Sequence, residues 1–132
     1  MYRSIGLLRF GVSLGLLMAL SSIAIKAQTM EIVTYYFVEL IPNAGSPEYT
    51  NEQLVEIQRS HLDNIKSMAR EGKLLLAGPF EGGGGIFILN ADSPEQAQEW
   101  VERDPAVKAE RFTFKIRRWF TERGMLSLES SD

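Results

Sequence analysis

The chain of 132 residues contains no cysteine and a single histidine, His61. Without cysteine there is no disulfide framework, no lipid-modified thiol and no thiolate nucleophile. One histidine among scattered carboxylates is a poor ligand set, so no metal site is expected. No cluster of basic residues interrupts a sequence of formal charge −3. That argues against nucleic acid or an anionic membrane as partner. A long apolar run is also missing: the charge-free segment from Gly11 to Ile25 falls short of the ~20 residues a spanning helix needs.

What the N-terminus does have is an order. Arg3 and Arg9 give a basic start, the apolar segment follows, and small residues gather at Ser22, Ala24 and Ala27. This is the pattern of a secretory signal peptide over residues 1–27, with cleavage expected after Ala27 and Ser22-Ile23-Ala24 as a second site. An uncleaved anchor is the alternative. Removing Arg3, Arg9 and Lys26 takes the formal charge from −3 to −6, because that segment carries no acid. The expected product is a periplasmic or secreted domain over residues 28–120, off the membrane once cleaved, with a polar tail over 121–132.

Within the domain, "EIVTYYFVELI" (Glu31 to Ile41) is β-branched and aromatic and predicts a strand. Thr50 with Gln53 three residues on is a capping box, opening a helix that Gly72 closes. Leu74 to Gly78 and Gly85 to Asn90 predict two more strands. Ser93-Pro94 starts a second helix, which should end by Asp104 because the residue before Pro105 disfavours α geometry. Arg111 to Trp119 alternates as a fourth strand. The order β-α-β-β-α-β predicts an α+β, ferredoxin-like domain: a four-stranded antiparallel sheet with two helices on one face. Strand one is apolar on both sides, so the second face needs a cover, most simply the same sheet of a second copy, a homodimer.

Four consecutive glycines, Gly82 to Gly85, suggest a phosphate cradle at first sight. That chemistry needs a lysine and a helix immediately after the glycines. Here Ile86-Phe87-Ile88 follows, a strand, so the run predicts a hairpin loop.

Two polar residues fall where apolar ones belong. Leu54, Ile57, Ile65 and Met68 form a helical stripe with His61 in its middle. In the second helix Ala97, Trp100 and Val101 form the stripe, and Asp104 continues it. An inward carboxylate needs a partner, and an imidazole is the natural one. Two readings stand side by side: His61 as a hydrogen-bonded core group with Asp104 capping a turn at Pro105, or a catalytic His–Asp pair in which the carboxylate orients the ring. No serine has the context of a nucleophile.

"HLDNIKSMAREGKLLLAGPF" followed by "GIFILNADSPEQAQEWVERDPAV" resembles the YCII-related domain family, a likeness running from about Met30 to Trp119. The features that carry it are His61-Leu62 on a helix, the Gly72 to Phe80 strand, the Ser93 helix start and Asp104-Pro105 at that helix's end. The resemblance implies a dimeric α+β barrel and an active site containing His61 and Asp104. It also implies a few lyase-like or dehalogenating members that act on small hydroxylated ring compounds without a cofactor. Gly78, Pro79 and Phe80 are then expected to line the substrate pocket, with the glycine loop at its edge. The alternatives are a non-catalytic module binding a small ligand in the same pocket, and a dimeric interaction protein with no ligand.

Overall fold

In the computed structural model, residues 29–126 are described; the expected signal peptide and the second half of the expected polar tail lie outside them. The elements are β1 (Ile32–Pro42), α1 (Asn51–Arg70), β2 (Leu74–Pro79), β3 (Gly85–Leu89), α2 (Pro94–Glu102), α3 (Pro105–Lys108) and β4 (Phe112–Glu122). The four strands form one antiparallel sheet in the order β2-β3-β1-β4. This is the expected ferredoxin-like arrangement, with the first strand central and the helices on one face.

Local chemistry explains the boundaries. The Thr50 side chain accepts from Gln53 N–H while the Gln53 side chain accepts from Thr50 N–H, so the capping box closes both ways. Gly72, at φ +71°, ends α1 in the left-handed conformation a helix terminator needs. Ser93 caps α2 by accepting from Gln96 N–H, with Pro94 in the first turn. In the hairpin between β2 and β3, Gly84 sits at φ +76°, and a Cβ there would meet the Leu40 carbonyl oxygen at 2.4 Å. Glycine is required at that position twice over, by conformation and by space.

The helix side of the sheet holds the core. Tyr36, Val38 and Leu40 alternate along β1 and meet Phe87 and Leu89 of β3, Met68 of α1, and Ala97 and Val101 of α2. Val38 and Leu89 are fully buried, which stabilises the fold by about 1.5–3 kcal/mol for each side chain. On the opposite face no element of the described chain covers Tyr35, Phe37 and Trp119, which remain half-buried. Tyr35 faces Trp119 across the β1–β4 pair, with ring centroids 6.4 Å apart, and Arg117 lies over the Phe37 ring at 5.3 Å.

Two elements depart from expectation. The last strand reaches Glu122, past the expected end at Trp119, because Ile32 and Val33 of β1 pair with Glu122 and Thr121. The strand therefore takes in Thr121 and Glu122 of the expected tail. Arg123 extends the tie, donating to both carboxylate oxygens of Glu31 at 2.6 and 2.7 Å, and those hydrogen bonds hold the Glu31 carboxyl below the usual carboxylate range. The second departure is α3, a single helical turn that sequence periodicity does not register. It sets the position of Asp104.

Candidate active site

Asp104 is not the last residue of α2. That helix ends at Glu102, and Asp104 takes an extended backbone conformation, φ −63° and ψ 131°, as the N-cap of α3. Pro105 imposes this by excluding α geometry on the residue before it. The bend turns the side chain inward, where it is fully buried. Its Oδ1 accepts from the N–H groups of Ala106 and Val107 at 2.9 and 3.3 Å.

His61 comes from the opposite direction, on the buried face of α1. Its Nδ1 lies 2.8 Å from Asp104 Oδ1 and 2.9 Å from Oδ2. Asn64, one turn further along α1, donates its Nδ2 to Oδ2 at 2.9 Å. Three N–H groups, of Asn64, Ala106 and Val107, thus converge with the His61 Nδ1 on one carboxyl group. A carboxylate is the form that accepts from all of them, which leaves the proton of the His61–Asp104 bond on Nδ1. Asp104 thus both caps a turn and pairs with His61.

The rest of the ring is held by aromatic packing. Phe87 stacks on it at 6.0 Å between centroids with 25° between planes, and Phe112 tilts against it at 6.1 Å. Nε2 has no partner among the described residues. No side-chain nitrogen or oxygen sealed from solvent lacks a partner there, so Nε2 is open to the cavity that His61 lines. The imidazole is fixed at one nitrogen and free at the other, the arrangement a general base or acid requires.

That cavity has a volume of about 340 Å³. Its wall is mostly apolar, from Leu40, Ile65, Phe87 and Phe112 among others, with Gln58 as a polar side chain at the rim. Gly78 and Pro79 line it, as does the end of the glycine run at Gly84 and Gly85. Phe80 does not, contrary to expectation. The chain turns sharply after Pro79, with Phe80 N–H donating to Gly84 O and Gly83 N–H to Phe80 O, and the Phe80 ring is left 48% exposed. Among the described residues no cluster of three metal-ligating side chains occurs.

Sequence reasoning missed Asn64, Gln58, Phe87 and Phe112. The first two carried a signal, lying three residues after and three residues before His61 on the same helical face. The phenylalanines carried none, because a core aromatic and a site aromatic look alike on a strand.

No curated protein matches the chain. Among solved structures, it is similar to 5-chloro-2-hydroxyhydroquinone dehydrochlorinase from Burkholderia phenoliruptrix in complex with 2,5-dihydroxybenzoquinone. The TM-score is 0.52 at 21% identity, covering 64% of this chain and 92% of that one, which is a likeness of fold. The model of the YCII-related domain matches residues 36–119. A stretch that spans most of the sheet and both members of the His61–Asp104 pair makes this chain a member of the YCII-related domain family.

Proposed function

We propose that the protein is a small-molecule enzyme of acid–base type that eliminates a leaving group from a hydroxylated ring compound, with His61 and Asp104 needing no cofactor. The observation that carries this is the buried pair itself: Nδ1 is held by Asp104 while Nε2 faces a cavity of about 340 Å³. Nε2 takes a proton from one ring hydroxyl and returns it to the carbon that bears the halogen, so that oxygen becomes a carbonyl and the carbon becomes tetrahedral. A second hydroxyl then loses its proton, its electron pair forms a second carbonyl through the ring, and halide departs with the electrons of its bond to carbon, so H–X is lost overall and no oxidant is consumed. Asp104 keeps the ring in the Nδ1–H tautomer and offsets the positive charge that forms on it. The apolar walls suit a planar ring, and Gly78 and Pro79 leave room beside it. The similar fold of a dehydrochlorinase favours this substrate class.

The test is halide release from a panel of chlorinated hydroxyhydroquinones, comparing the native protein with His61→Asn. Turnover by the native protein that the variant lacks supports the enzyme. Saturable binding of the same compounds without turnover would make the protein a binding module instead.

The functional unit in this reading is a homodimer, with the bare sheet face of one copy covered by that of another. Tyr35, Phe37 and Trp119 supply an apolar centre, and Glu39 lies near Lys115 and Arg117 of β4, so a twofold axis can set unlike charges against each other. Light scattering at micromolar concentration is expected to give twice the chain mass, falling to the chain mass in Phe37→Glu. A native monomer would sink the assembly.

Export belongs to the same reading. Intact-mass analysis of the protein from an expressing bacterium is expected to find Gln28 at the N-terminus in the periplasmic or secreted fraction. Recovery of the full-length chain alone would contradict it.

A further inference from the structure

A second cavity, of about 310 Å³, lies between α2 and β4 and shares no lining residue with the His61 cavity. Tyr36, Pro94, Gln98, Phe114, Ile116 and Arg118 line it. Phe114, Ile116 and Arg118 alternate along β4 and so project to one face. Tyr36 stands directly opposite Arg118 in the β1–β4 register, which puts their side chains next to each other.

Two polar groups here have no partner among the described residues and are open to solvent, the guanidinium of Arg118 being exposed. Tyr36 is 4% exposed, yet its phenol has no hydrogen-bond partner among the described residues. Buried tyrosine hydroxyls ordinarily find one. Because no sealed side-chain oxygen lacks a partner, this hydroxyl reaches the cavity. Arg118 is the second: no carboxylate of the described residues lies within ion-pair distance of its guanidinium. Arg59, Arg103 and Arg123 each hold a glutamate, whereas Arg70, Arg111 and Arg117 share with Arg118 the lack of one among the described residues, and of these four Arg118 alone lines this cavity. Gln98 adds an amide from α2; one of its N–H groups donates to Glu102 Oε1 at 2.7 Å, which leaves the other for a ligand.

From this we infer that the cavity is a binding site for a small organic carboxylate with an apolar body. The guanidinium offers a planar fork of donors matched to the two oxygens of a carboxylate. The Tyr36 hydroxyl and the Gln98 amide supply further donors. Phe114, Ile116 and Pro94 supply apolar wall for the remainder of the ligand. A highly charged phosphate ester would meet one cation only and would waste that wall. The site is independent of the acid–base chemistry at His61, and its loss would leave that reading untouched.

Benzoate is a suitable probe, with benzamide as its uncharged counterpart. In a two-dimensional NMR titration at fixed ionic strength, benzoate is expected to give saturable shifts centred on Gln98, Ile116 and Arg118. Benzamide should bind at least about tenfold more weakly, as should benzoate to Arg118→Gln, since a charge-assisted hydrogen bond is lost. Tyr36→Phe removes only the hydroxyl and should weaken benzoate by about fivefold. Equal affinity for benzoate and benzamide would overturn the site. So would indifference to Arg118→Gln, shifts centred on His61 and Ile65, or no saturation at all.

Discussion

Asp104→Ala is expected to lower the free energy of unfolding by about 3–5 kcal/mol, because several buried donors lose their acceptor at once and each orphaned group costs about 1–3 kcal/mol. A helix cap lost from the surface costs only about 1 kcal/mol. The difference lies in what is left behind. The His61 Nδ1–H, the Asn64 amide and the N–H groups of Ala106 and Val107 all lose their acceptor together. The carboxylate is wholly buried, so bulk water does not replace it without a local opening. Urea denaturation measures the effect, and a loss below about 1 kcal/mol would reduce Asp104 to an ordinary cap. Asp104→Asn sharpens the result. Its amide oxygen can serve Ala106 and Val107, but its NH₂ group then confronts two donors, from Asn64 and from His61. The expected outcome is a switch of the imidazole to the Nε2–H tautomer, read from its ¹⁵N shifts. An unchanged tautomer would mean that Asp104 does not orient the ring.

His61→Asn is expected to do the reverse: leave stability within about 1 kcal/mol and lower kcat by a factor of 10² to 10⁴, the usual contribution of a positioned acid–base group. The asparagine amide can stand near the place of Nδ1 and keep a donor on Asp104, while nothing replaces Nε2. Substrate binding rests mainly on the apolar walls, so KM should move far less than kcat. The two measurements together separate structure from catalysis. If His61→Asn destabilises the fold as strongly as Asp104→Ala and no compound is turned over by the native protein, the histidine is a core group.

Much of this was legible in the sequence, for identifiable reasons. The helices announced themselves through Thr50 with Gln53 and through Ser93-Pro94, where a side chain satisfies the orphan N–H groups of a helix start. His61 and Asp104 stood out because each broke an apolar stripe, and burial of a polar group demands a partner. Asp104 was found for a partly mistaken reason. Its inward position comes from the bend that Pro105 forces, not from continuation of α2. The single turn of α3 is too short to leave a period in the sequence, and Asn64 is unremarkable until the fold brings Asp104 beside it. Phe80 failed because strand-like composition does not reveal where a chain turns.

The double duty of Asp104 has a practical consequence. Its Oδ1 is shared between the imidazole and the amides of Ala106 and Val107, so any change in the ring's protonation alters the electron density those two N–H groups feel. Their amide resonances are therefore internal reporters of the histidine. A compound entering the cavity and accepting or giving a proton at Nε2 would be visible at Ala106 and Val107, on the far side of the ring, with no label on the ligand and no assay for its product.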